Sequence, residues 1–139
     1  GYYKSFLSWL KDNKVEIIEQ EKTVFSEAHQ YAGTLDMLAR LNGNTDQLVI
    51  DVKTNKAGEI YPEYELQVSA YVSALRESGI EVAGGAVLVL SQDGKYTFGK
   101  VGEATSVFLQ AQKLWVWKNK ETCTKLGYKP GGGDKDAEA

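Results

Sequence analysis

Three charged residues sit inside two otherwise apolar segments of this chain. Asp36 interrupts GTLDMLARL, and Asp51 and Lys53 interrupt LVIDVKT. Charged side chains are rarely buried without partners, so these intrusions need a reason beyond folding. Between the segments lies Asn42-Gly43-Asn44-Thr45-Asp46, a strong hairpin signal. With the turn centred between Gly43 and Asn44, Met37 faces Ile50, Leu35 faces Val52 and Asp36 faces Asp51. Side chains alternate between the faces of a sheet, so Lys53 shares the face of both aspartates. Opposed residues have Cβ atoms roughly 5 Å apart. A slip of one residue would scatter the three. Two carboxylates this close repel unless a divalent cation or a lysine neutralises them. Asp, Asp and Lys are the minimum set for metal-assisted phosphodiester hydrolysis. The carboxylates hold a cation that polarises the phosphate and lowers the pKa of a water, and the lysine orients that water or stabilises the developing negative charge. The competing reading is a structural ion-pair network at a sheet edge.

The elements that must position these residues follow from periodicity. Tyr2 to Lys11 has helical spacing, with Phe6, Trp9 and Leu10 on one side. Val15 to Phe25 alternates loosely as a strand, which directs Val15 and Ile17, and with them Gln20, inward. Tyr31 to Leu41 and Gln47 to Thr54 are the two hairpin strands. Tyr61 to Ser78 switches to helical spacing, with Pro62 in its first turn, a stripe of Tyr64, Val68, Tyr71, Val72 and Leu75, and Gly79 to close it. Val82 to Leu90 is apolar on both faces, as in a buried strand. Asp93-Gly94 turns into a short strand, Tyr96 to Val101. Glu103 to Lys118 is a last helix, with Val107, Phe108, Ala111, Leu114 and Trp115 expected inward. The order α-β-β-β-α-β-β-α predicts an α/β chain of the α+β kind, with a central mixed sheet flanked by helices. One domain is expected over 1–124, and a flexible tail with Gly131-Gly132-Gly133 over 125–139.

Composition narrows the chemistry. The chain has 139 residues, enough for one core. One cysteine and one histidine exclude an internal disulfide, a thiolate zinc site, a four-cysteine iron–sulfur cluster and a multi-histidine metal site. Any metal must be held mainly by oxygen, which favours Mg²⁺, Mn²⁺ or Ca²⁺. The net charge of −3 does not advertise nucleic-acid binding, yet Lys113 to Lys129 holds five lysines and one glutamate. A local basic patch is compatible with that spread. The chain shows neither an apolar run long enough to span a bilayer nor a signal peptide, so a cytoplasmic setting is expected, bacterial or in a phage-infected host.

Gly33-Thr34-Leu35-Asp36, then Asp51-Val52-Lys53-Thr54, then Gln67 to Tyr71 as Q-x-x-x-Y, resemble the PD-(D/E)XK nuclease superfamily. The pattern is most similar to the RecB-like exonuclease branch, including the mitochondrial genome maintenance exonuclease family and its phage-encoded relatives. The resemblance covers roughly Val15 to Ala74 and implies a restriction-endonuclease-like core. It implies that Asp36 and Asp51 ligate Mg²⁺ or Mn²⁺ together with the Val52 carbonyl, and that Lys53 is the catalytic lysine. It implies that Gln67 and Tyr71 face the site and position the lysine or the nucleic acid. Glu21 matches a glutamate often found on the preceding strand and joins the implied metal ligands, though Glu19 shares its face. The branch usually adds a metal-binding histidine on an upstream helix, whereas His29 falls in a turn just before the GTLD motif. The implied activity is DNA hydrolysis in one step by a metal-activated water, at DNA ends or on single strands. The alternative is a degenerate nuclease-fold module that binds nucleic acid or a protein partner without cutting. Glu63 and Glu65 are placed either to reach a second metal or simply to favour the helix dipole. Trp9, Trp115 and Trp117 are expected as packing residues rather than base-stacking platforms.

Overall fold

A computed structural model describes residues 1–127. The elements are α1 (Tyr2–Asp12), β1 (Glu16–Ser26), β2 (Tyr31–Arg40), β3 (Leu48–Thr54), α2 (Pro62–Glu77), β4 (Gly84–Leu90), β5 (Tyr96–Val101), α3 (Thr105–Lys118) and α4 (Lys120–Lys125). The five strands form one sheet in sequential order. β1, β2 and β3 pair antiparallel as a meander, β4 runs parallel to β3, and β5 returns antiparallel. A parallel pair cannot be joined by a tight turn, and α2 supplies the crossover between β3 and β4. The chain is therefore an α+β protein with a mixed five-stranded sheet flanked by helices, and it has one short helix, α4, beyond the expected order.

The sheet is covered on both faces. Val49, Val87 and Val89 face α2 and pack on its Val68, Val72 and Leu75. Leu48, Ile50, Ala86 and Leu88 face the other way, onto Trp9 of α1, with Phe6 and Leu10 beside it. Burial on both faces explains why β4 reads as an unbroken apolar run. Gly85 sets the spacing of the α2 layer, because a Cβ there would collide with Val68 Cγ1. Pro62 opens α2 at a position where no helical donor is lost.

The hairpin carries the expected register over three pairs, but the expected pairs Asp36–Asp51 and Leu35–Val52 do not form, and Leu35 and Val52 enter opposite cores. Met37 pairs with Ile50, Leu38 with Val49 and Ala39 with Leu48. Its turn lies earlier than expected. Asn42 (φ 53°) and Gly43 (φ 74°) form the corner, and the Asn44 N–H donates to the Leu41 carbonyl at 2.9 Å. Thr45 to Gln47 then make up the length, with Arg40 Nε donating to the Thr45 carbonyl at 3.2 Å. A tight corner plus a short irregular segment thus gives the same pairing as a single wider turn.

Two expected faces are corrected. On β1, Ile17 and Gln20 are exposed, while Ile18 and Val24 turn toward the α2 core. A register shift between Ile17 and Glu19, and a left-handed Glu21 (φ 49°), break the simple alternation. On α3, Val107, Leu114 and Trp115 are exposed rather than inward, as is Ala111. α3 packs on α2 instead of lying across the sheet, so only a narrow side is covered. Phe108 on that side meets Tyr31 edge-on at 5.0 Å, and Gln112 Nε2 donates to the His29 carbonyl at 2.8 Å. Lys125, expected in the tail, closes α4, and the rest of that tail from residue 128 lies outside the described residues. Among the described residues no helix is long and apolar enough to cross a membrane.

Candidate active site

The site forms where β2 and β3 part. Their ladder stops at Met37 and Ile50, one residue before Asp36 and Asp51 would face each other. The Val52 N–H donates instead to Asp36 Oδ2 at 2.8 Å. A side chain thus takes the place of a ladder bond, which satisfies the backbone and fixes the Asp36 carboxylate at the end of β3. Alternation along β2 slips at this point. Leu35 and Leu38 both enter the α2-facing core, whereas Met37 enters the opposite one.

Asp51 is 2% exposed. Its Oδ2 has no hydrogen-bond donor, although Lys53 Nζ lies 3.3 Å away. The contact is an ion pair, longer than the roughly 2.7–2.9 Å usual for an ammonium–carboxylate hydrogen bond. Burial pushes the Asp51 carboxyl up to about 6; Lys53 opposes the rise and the neighbouring Asp36 adds to it.

Lys53 leads into a polar chain on α2. Its Nζ donates to Gln67 Oε1 at 2.8 Å, and Gln67 Nε2 donates to the Tyr71 hydroxyl at 2.9 Å. Gln67 and Tyr71 are four residues apart and so share one helix face. The Tyr71 ring lies over Gly33, where a Cβ would come within 2.8 Å of its Cε1. Gly33 in β2 and Tyr71 in α2 are therefore sterically matched. The structure thus brings together Asp36, Asp51, Lys53, Gln67 and Tyr71.

Two further residues reach the same point. The Tyr64 ring centroid is 5.3 Å from Lys53 Nζ, and the Tyr64 hydroxyl accepts a hydrogen bond from Asn55 Nδ2 at 3.3 Å. The sequence shows Tyr64 only as part of an apolar stripe. The readable signal was its position three residues before Gln67, on the same helix face.

The other candidates do not join this cluster. Glu21 is exposed on β1 between Gln20 and Lys22, which pair with Met37 and Leu35, so it lies opposite Asp36, yet no third acidic side chain gathers with Asp36 and Asp51 among the described residues. His29 is tied into the β1–β2 turn, where the Ser26 hydroxyl accepts its N–H at 3.1 Å. Glu65 points toward Gly102, and Glu63 is exposed. Trp9 is fully buried as expected, whereas Trp115 and Trp117 stand largely exposed.

Among the described residues no three His, Cys, Asp or Glu side chains gather as a metal cage. The acidic set is the pair Asp36 and Asp51. The two carboxylates are oxygen donors, which fits a hard divalent cation that keeps several of its own waters.

No family model matches this chain, and no curated protein matches it. A solved structure described as the crystal structure of SSO0001 is similar at 20% identity and a TM-score of 0.44, over 70% of this chain and 47% of that one. This chain thus spans less than half the length of that structure, and a likeness of this size carries no argument about fold or function.

Proposed function

We propose that this chain is a Mg²⁺- or Mn²⁺-dependent DNA nuclease with a restriction-endonuclease-like core, similar to the RecB-like branch of the PD-(D/E)XK superfamily. The observation that supports this most is the buried Asp51 carboxylate, set beside a second carboxylate, Asp36, with one ammonium, Lys53, 3.3 Å from its Oδ2. Two carboxylates sharing one ammonium leave negative charge uncompensated, which a divalent cation would neutralise.

Asp36 and Asp51 would hold the cation, with the Val52 carbonyl as a further ligand. A bound Mg²⁺ or Mn²⁺ supplies Lewis acidity toward a phosphate oxygen and makes water a better nucleophile at neutral pH. Asp36 is oriented for ligation by its bond to the Val52 N–H. Lys53, steadied by Gln67, presents its charge where negative charge builds on the phosphate. Tyr71 fixes Gln67, so the lysine is held from the helix rather than from the flexible end of its own stem. Hydrolysis is direct, by water on the phosphodiester, with no covalent enzyme intermediate. Substrate contacts are mainly to phosphates, at DNA ends or on single strands, so affinity falls steeply with salt.

Titration calorimetry with Mn²⁺ tests the reading. One divalent site is expected in the wild type and none in Asp51→Asn at the same concentrations. Equal Mn²⁺ binding by both would contradict it.

A further inference from the structure

Lys53 is restrained by a group outside the Asp, Lys, Gln and Tyr set just described. An ammonium has three donors on a flexible four-carbon stem. Gln67 Oε1 takes one at 2.8 Å, while Asp51 Oδ2 forms an ion pair with Nζ at 3.3 Å. The Lys53 side chain is 27% exposed on a flexible stem, so the Asp51 charge alone does not fix where the ammonium rests.

The Tyr64 ring is placed to do so. Its centroid lies 5.3 Å from Lys53 Nζ, inside the range of about 6 Å over which an aromatic face attracts a cation. The ring is itself fixed. Its hydroxyl accepts from Asn55 Nδ2, and Asn55 ties down the β3–α2 loop by donating to the Glu59 carbonyl at 3.0 Å and accepting the Glu59 N–H at 3.2 Å. Tyr61 packs against it edge-on at 5.5 Å. Tyr64 and Gln67 are three residues apart on α2, so one helix face supplies both restraints.

We infer that Tyr64 is a positioning residue for Lys53: its ring face and Gln67 together hold the ammonium beside the Asp51 carboxylate with a donor available to a phosphate oxygen. This rests on the nuclease reading for its catalytic consequence, but the contact itself is testable without cleavage.

Two measurements on the full chain decide it. In steady-state cleavage of end-labelled DNA with Mn²⁺, Tyr64→Leu lowers kcat roughly 2- to 30-fold, the span of a cation–π contact of about 0.5–2 kcal/mol. KM stays within about twofold, as expected for a group that acts on the lysine rather than on substrate binding. Tyr64→Phe, which keeps the ring, restores most of the rate. In ¹³C-edited NMR, with the signal assigned through Lys53→Arg, the Lys53 ε-methylene is shifted upfield by the ring in the wild type and in Tyr64→Phe. It returns to the position of the other lysines in Tyr64→Leu. Where Tyr64→Leu melts below the assay temperature, Tyr64→Met serves, since it keeps bulk on the same helix face without a ring.

Wild-type kcat in the ringless variant, a loss carried by KM alone, or an unshifted Lys53 signal in the wild type would each overturn the assignment. A wild type that never cleaves would instead sink the nuclease reading, and the NMR signal alone would then decide whether Tyr64 holds Lys53.

Discussion

Replacing Asp51 with asparagine removes a charge from a position that is 2% exposed and whose carboxyl is pushed up from 3.8 to about 6. The folded chain therefore binds this proton more tightly than the unfolded chain does. Between about pH 4 and pH 6 the folded state carries more protons, so stability falls as pH rises through that window, and the full cost of the buried charge is present above it. A shift of about two units corresponds to about 3 kcal/mol, an upper figure because surrounding groups relax. Asp51→Asn should therefore stabilise the metal-free protein at pH 7.5 by about 1–3 kcal/mol. The assay is urea unfolding in EDTA at pH 7.5 and at pH 4.5, for both proteins. The gain should shrink at pH 4.5, where the wild-type carboxyl is itself largely protonated. An asparagine variant that is less stable at pH 7.5, or a gain that is the same at both pH values, would refute the electrostatic account of the site.

Asp36→Ala leaves the Val52 N–H without its partner and should cost about 1–3 kcal/mol in thermal or urea unfolding, whereas Asp36→Asn keeps an accepting oxygen and should unfold near the wild type while losing Mn²⁺ binding by calorimetry. Gly33→Ala forces a methyl against the Tyr71 ring and should cost about 1–3 kcal/mol; pairing it with Tyr71→Ala should recover part of that loss, a non-additivity that a double-mutant cycle reads directly. Gly85→Ala drives α2 away from β4 at Val68 and should cost a similar amount, about 1–3 kcal/mol by urea unfolding.

Where pattern and physics agreed, the sequence was readable. The apolar run of β4 encodes its own burial, and the pairing of Met37 with Ile50 was reached from a turn placed at Gly43–Asn44, although the corner itself lies at Asn42–Gly43. The site was legible because charges in apolar segments are costly, so Asp36, Asp51 and Lys53 stood out. The faces of α3 were not legible. Val107, Ala111, Leu114 and Trp115 have the spacing of a buried stripe, yet α3 packs on α2 and reaches Tyr31 and the β1–β2 turn through Phe108 and Gln112 instead, and periodicity does not say what a stripe packs against. Inward positions on β1 failed for a different reason. A register shift and a left-handed Glu21 are backbone events without a glycine or proline to announce them. Tyr64 was hidden because an aromatic side chain in an apolar stripe reads as core, and its contact with Lys53 depends on tertiary placement. The match of Gly33 to Tyr71 likewise needs both elements in place, since neither residue alone points to the other.

The central claim is that the Asp36, Asp51 and Lys53 constellation hydrolyses phosphodiesters with a divalent cation. The most direct measurement is single-turnover digestion of end-labelled single- and double-stranded DNA, with Mn²⁺ or with EDTA, by the wild type, Lys53→Ala and Asp51→Asn. The account predicts cation-dependent cleavage by the wild type alone, with both variants folded and inactive. Full Mn²⁺-dependent cleavage by either variant, or none by the wild type, would contradict it.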